Sequence, residues 1–289
     1  MMKKIAALLT ACLMLASTAG CASLVNLSGI GKNAQENPNA ALGRTMSDLS
    51  GGNMLSDSNG LSVPDTDYLP LPDFKELKSN AVFDVNWQTA EGEYMAGTSF
   101  LAQTGLTEQP LLLTACHYFA SDEVDVDLRD LTGYVQGGDL FDILGDGSEI
   151  AGTVRGVLPI PDAESISEKG SSERDLAAFY VDGADMLDSI TFAAEPCKEG
   201  DMIYLAAWLD HENSAYYDDC LYPCVVMQDD GKEINYILSD EFSTQGASGA
   251  PLLNSKGELV GIHIGSNGSI RYGHSAQSIY QQLKDALGN

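Results

Sequence analysis

Positive charge is scarce in this chain: 15 lysines and arginines stand against 42 aspartates and glutamates in 289 residues, a formal net charge of -27. A nucleic-acid binder needs a basic face, so that class is excluded as a partner. The same imbalance favours solubility and repels anionic partners at long range. No apolar run long enough to cross a membrane occurs beyond the first twenty residues. Histidine is rare, with four in all, and neither His211 nor His274 stands at metal-ligand spacing from another histidine or a cysteine. The acidic run "SDEVDVDLRD" lacks the glycine and the closing glutamate of a calcium loop. No metal and no cofactor is therefore expected. Helical periodicity is missing until the last stretch, "SAQSIYQQLKDALGN", where Ile279, Leu283 and Leu287 fall on one face.

What is present begins with a leader. "MMKK" is followed by an apolar segment from Ile5 to Ala16 and then by "STAGC", the layout of an export signal over residues 1–20. "TAGC" resembles a bacterial lipobox, which makes Cys21 the lipid anchor and places the protein on the outward face of the cell membrane. Thr18 stands where that motif usually has leucine, and the alternative is cleavage after Ala19 to give a secreted protein. Residues 21–73 are rich in Ser, Asn, Gly and Asp with little periodicity, and read as a flexible tether. Export leaves Cys116, Cys197, Cys220 and Cys224 in the mature domain, an even set that allows two disulfides. Cys220 and Cys224 are close enough in sequence to close a small loop. The other reading is reduced, buried thiols.

From residue 74 onward, short strand-like runs recur between turn signals: "AVFDVNWQT", "AGTSFLAQTG", "PLLLTACHYF", "AGTVRGVLPI", "DLAAFYVDG", "DMIYLAAW", "CLYPCVVMQDDGKEINYILS", "GAPLLNSKGELVGIHIG" and "IRYGHSA". "DDGK" and "NSKG" are hairpin turns. Many short strands and one closing helix predict an all-β fold of antiparallel barrels.

Three motifs within this frame carry chemistry. "LLLTACHYF" sets His117 just after an apolar strand, "SERDLAAFYV" sets Asp175 just before another, and "TQGASGAP" sets Ser248 in a glycine-rich turn. Acyl transfer by serine needs a hydroxyl that attacks, an imidazole that takes its proton, and a carboxylate that orients the imidazole and supports its charge. Each motif alone is weak, and together, in the order His, Asp, Ser on an exported β-rich chain, they are specific. "LTACH", "RDLAAF", "GASGAP" and "LVGIHIG" together resemble the trypsin-like, chymotrypsin-fold serine peptidases of bacterial type, over about residues 74–289. The resemblance implies two antiparallel six-stranded β-barrels, about 78–187 and 188–289, with a short C-terminal helix and the site in the cleft between them. It implies His117, Asp175 and Ser248 as the triad, and the amides of Gly246 and Ser248 as the oxyanion hole. Ala247 replaces the aspartate that pairs with a new N-terminus in animal digestive members, so activation of that kind is not expected. An α/β-hydrolase reading is disfavoured, because Ala250 breaks its G-x-S-x-G elbow and no βαβ pattern surrounds the serine.

The resemblance also implies a primary pocket from Phe242, Ser243, Thr244, His263 and Gly265. Phe242 in the basal position removes the basis for Arg/Lys preference. "GIHIG" is similar to the corresponding strand of bacterial glutamyl endopeptidases, which implies that a partly charged His263 and a hydroxyl receive an acidic side chain. The expectation is a monomeric exported endopeptidase acting on peptides or proteins, with no PDZ-like extension of the HtrA type. The alternatives are a catalytically silent binding lipoprotein of the same fold and a purely structural one.

Overall fold

Phe83, Val85, Trp87 and Thr89 alternate inward along the first strand, which gives it one buried and one half-exposed face, the pattern of a barrel wall. The structure is a computed structural model that describes residues 80–121, 124–145, 147–166, 172–209, 220–238 and 243–288. The leader, Cys21, the tether, His211 and Phe242 lie outside the described residues. Among the described residues, no helix is long and apolar enough to cross a membrane.

The first barrel holds β1 (Val82–Thr89), β2 (Gly92–Gln103), β3 (Leu111–Thr114), β4 (Val135–Asp142), β5 (Gly152–Leu158) and β6 (Ala177–Asp182). Their order is β1-β4-β5-β6-β3-β2, and antiparallel pairing of β1 with β2 closes the ring. The short β7 (Ile190–Thr191) lies parallel on β2, and Phe192 then bridges to Leu259. The chain therefore passes between barrels at residues 190–192, slightly later than the expected boundary at 187. The second barrel closes in the order β10-β13-β12-β11-β8-β9. Its strands are β8 (Met202–Ala206), β9 (Leu221–Asp229), β10 (Glu233–Leu238), β11 (Pro251–Leu253), β12 (Leu259–Asn267) and β13 (Ile270–Ser275). The helix α1 (Ala276–Ala286) follows directly. Two six-stranded barrels and one C-terminal helix are the expected fold.

The predicted hairpins form for the predicted reasons. Asn254 Oδ1 accepts from the N–H groups of Lys256 and Glu258 at 2.9 and 3.0 Å, and Gly257 takes the left-handed conformation at φ 77°. Trp87 anchors the first core, against Phe119 at 5.0 Å and Phe179 at 4.8 Å between ring centroids, contacts worth about 1 kcal/mol each beyond their burial. On α1, Ile279 and Leu283 are buried, while Leu287 caps the helix and is only partly buried.

One strand was not marked in the sequence, and of the two cysteine readings the reduced one holds. β4, "VQGGDLFD", gives no clean alternation in the sequence. Its glycines are there for space, since a Cβ on Gly138 would press on Val85 and Trp87 at 3.0 and 3.2 Å. None of Cys116, Cys197, Cys220 and Cys224 is in a disulfide. The small-loop pairing fails on geometry: Cys220 abuts β9 and Cys224 lies within it. Four extended residues span about 13 Å, well beyond the roughly 7 Å that a disulfide bridges.

Candidate active site

His117 lies in the single turn Cys116–Phe119 that breaks from β3. Its backbone N–H donates to Asp175 Oδ1 at 2.9 Å, and its Nδ1 lies 2.8 Å from Asp175 Oδ2. The Ile166 N–H donates to the same Oδ2 at 3.1 Å. Asp175 is fully buried, whereas the His117 side chain is 20% exposed. Burial alone would raise the Asp175 pKa. The His117 charge and the N–H donors outweigh it and hold the carboxyl below the usual range. A carboxylate bound to Nδ1 keeps that nitrogen protonated and leaves Nε2 as the basic lone pair.

Ser248 belongs to the second barrel, and its turn is gripped by the first. The Thr98 N–H on β2 donates to the Ser248 carbonyl at 2.9 Å, the Thr98 hydroxyl to the Gly246 carbonyl at 3.1 Å, and the Tyr118 hydroxyl to the Ser248 carbonyl at 3.2 Å. Gly249 is held from behind by the His263 carbonyl at 2.8 Å. It has to be glycine on two counts: φ is 80°, and a Cβ would overlap the Thr98 carbonyl and the Thr114 hydroxyl. Gly246, at φ 88°, has open space around it. Among the described residues, the N–H groups of Gly246 and Ser248 serve no acceptor, while Ala247 between them donates to the Thr244 carbonyl at 3.0 Å. Such a pair can receive a developing oxyanion. The Ser248 hydroxyl donates to the Ile264 carbonyl at 3.2 Å and makes no hydrogen bond to His117.

The expected pocket residues fall into two adjoining segments. Ser243 and Thr244 enter the Ser248 turn, and His263 and Gly265 lie on β12 beside it. The structure corrects the charge state of His263. Its ring is 1% exposed and shares a 2.7 Å hydrogen bond between Nδ1 and the Tyr236 hydroxyl. Burial, then the charges of Arg271 and His117, push its pKa down to about 3, so it is neutral at pH 7. The charge on this face belongs to Arg271. It pairs in register with Tyr236 and Ser266, and Gly273, two residues on, pairs with His263. Paired residues share a face, so Arg271, Tyr236 and His263 look the same way. Thr98, Tyr118 and Arg271 were not found from the sequence. Only the position of Tyr118, directly after His117, was a hint.

A two-barrel domain with histidine and aspartate from one barrel and a glycine-flanked serine from the other defines a trypsin-like serine protease domain. The model of the family described as trypsin-like peptidase domain matches residues 97–262, more than half of the chain, and the chain belongs to that family. A search of curated proteins finds no match. Among solved structures, the chain is similar to the active form of a protease from M. tuberculosis, with 16% identity over 80% of this chain and 93% of that one and a TM-score of 0.48. It is also similar to a serine endoprotease from Yersinia pestis, with 15% identity over 73% and 64% and a TM-score of 0.49. A Glu endopeptidase in complex with MPD gives 15% identity over 73% and 91% and a TM-score of 0.49.

Proposed function

We propose that this chain is an exported serine endopeptidase in which Ser248 attacks a peptide carbonyl. His117 takes the serine proton and returns it to the leaving amine, and Asp175 supports the imidazolium. The acyl-enzyme is then released by water activated at the same His117, and the amides of Gly246 and Ser248 hold the oxyanion at both stages. The observation that carries this reading is the fully buried Asp175, which accepts both His117 N–H groups while Nε2 is left basic. Before attack, the Ser248 hydroxyl leaves the Ile264 carbonyl by rotation about χ1.

That resting contact favours a second reading, a silent domain of the same fold that binds partners. A peptide-library digest decides between them. Cleavage by the wild type and none by Ser248→Ala is the expected result; no cleavage by folded wild type would leave the binding reading standing.

The primary pocket in this proposal takes an acidic side chain. With Tyr236 donating to Nδ1, neutral His263 offers its Nε2–H as donor, and Arg271 supplies the charge. Loss of cleavage after Glu in His263→Ala and Arg271→Gln supports this; an unchanged profile removes it. Lipid anchoring at Cys21 is tested by incorporation of a labelled palmitate, which Cys21→Ser should abolish; a secreted, unlabelled wild type contradicts it.

A further inference from the structure

The turn Ser172–Arg174 delivers Asp175 to the site. By sequence this turn belongs to the first barrel, and Arg174 stays bonded to Glu164 there, but Ser172 and Glu173 are held by the second. Ser172 is 1% exposed, and its N–H and hydroxyl donate to Glu233 Oε1 at 2.9 and 2.8 Å, with the hydroxyl also 3.1 Å from the Gly273 carbonyl. The Glu173 carbonyl accepts from Gln282 Nε2 on α1 at 2.6 Å, and its carboxylate lies 3.6 Å from Lys232 Nζ. Asp175 N–H in turn donates to the Ser172 carbonyl at 3.3 Å.

Lys232 and Glu233 sit at the end of the β9–β10 hairpin, and that hairpin is itself fixed. Asp230 Oδ1 accepts from the N–H groups of Lys232 and Glu233 at 2.9 Å each, and Gly231 turns the chain at φ 83°. Asp229 fastens its base by accepting from the Cys197 N–H and the Ser275 hydroxyl, both at 2.8 Å. A continuous line of hydrogen bonds therefore runs from Glu233 through Ser172 and Asp175 to His117.

We propose that Glu233 is a positioning residue for the triad: the β9–β10 hairpin of the second barrel aims the aspartate that the first barrel contributes. The proposal rests on the serine-peptidase reading. Its consequence is that docking of the barrels does two things at once, bringing Ser248 to His117 and setting Asp175 behind it. A carboxylate suits the role because one oxygen accepts both Ser172 donors, and an amide oxygen in the same place retains that geometry.

The probe is diisopropyl fluorophosphate, which requires no knowledge of the natural substrate, applied to the full chain. Glu233→Ala should lower the limiting rate of inactivation by about 10- to 100-fold and leave the half-saturating concentration within about 2-fold, the signature of a group acting on chemistry and not on binding. Glu233→Gln should recover to within about 3-fold of wild type, and Ser172→Ala, which keeps the backbone donor, should fall between. In an Asp175→Asn background Glu233→Ala should add nothing, because residues acting in series are not additive. Three outcomes overturn the proposal: Glu233→Ala reacting at the wild-type rate, Glu233→Gln no better than Glu233→Ala, or an undiminished loss on top of Asp175→Asn. Should Glu233→Ala not fold, Glu233→Gln and Ser172→Ala still decide, by near-wild-type and intermediate rates respectively. Wild type that does not react at all overturns the peptidase reading itself.

Discussion

Replacing Asp175 by asparagine keeps the shape of the side chain and removes one acceptor and the charge. Asp175 Oδ1 takes the His117 backbone N–H, and Oδ2 takes both His117 Nδ1 and the Ile166 N–H. With its amide nitrogen in the Oδ2 position, the asparagine leaves the Ile166 donor without an acceptor and makes Nδ1 the acceptor. The imidazole proton then moves to Nε2, where the ring can no longer take a proton from Ser248. In the opposite orientation the His117 backbone donor is orphaned, and no charge supports the imidazolium. Either orientation orphans one buried donor, which costs about 1–3 kcal/mol and leaves the domain folded. The catalytic loss is larger, about 10⁴-fold in turnover from the known behaviour of such triads, or about 5.5 kcal/mol of transition-state stabilisation. The assay is turnover of the best library peptide alongside urea denaturation. A loss below about tenfold in protein that melts like wild type would refute the account of Asp175.

Other substitutions separate the causes of stability. Asp84 faces Thr98 across β1–β2, and burial raises its pKa to about 6. A carboxylate with a raised folded pKa loses stability as pH rises from its unfolded value of 3.8 to its folded value of about 6 and carries the full cost above that, so Asp84→Asn should gain about 2–3 kcal/mol at pH 7 by urea denaturation. His263 and His274 are both held near pKa 3, chiefly by burial, so each opposes folding as pH falls below its unfolded value of 6.5. Between pH 4 and 6 the unfolded chain binds two protons on these histidines and the folded chain one on Asp84. Their combined slope is a rise in stability of about 1.4 kcal/mol per pH unit, and about twice that in Asp84→Asn. A flat profile in both would contradict the burial argument. Gly249→Ala should destabilise more than Gly246→Ala, because the first adds overlap with Thr98 and Thr114 to a dihedral cost of about 1–3 kcal/mol that both pay. Equal urea midpoints would show that the clamp on the Ser248 turn is looser than drawn.

The sequence marked the strands and turns that depend on local chemistry. The alternation around Trp87, the "DDGK" and "NSKG" hairpins and the face of α1 all state their structure in residue types. The three chemical motifs were legible for the same reason, since each joins a reactive side chain to the apolar strand or glycine turn that presents it. What stayed hidden depends on register between distant segments. β4 hides because its glycines make room for side chains of β1. Arg271 reads as an ordinary strand arginine until its pairing with Tyr236 and Ser266 places it on the face of His263. Nothing about Glu233 in a hairpin announces a bond to Ser172, 61 residues away. The place of His263 on the strand after the serine turn was legible, but not its charge, because its burial against Tyr236 is a property of the closed barrel.

The central claim is that Ser248 is a nucleophile activated by His117 and Asp175. The most direct measurement is mass spectrometry of the folded protein after exposure to a fluorophosphonate. The account predicts one adduct, on the peptide that contains Ser248, formed by the wild type, absent in Ser248→Ala, and formed much more slowly in His117→Ala and Asp175→Asn. Folded wild-type protein that takes up no label, or takes it up equally in Ser248→Ala, would contradict it.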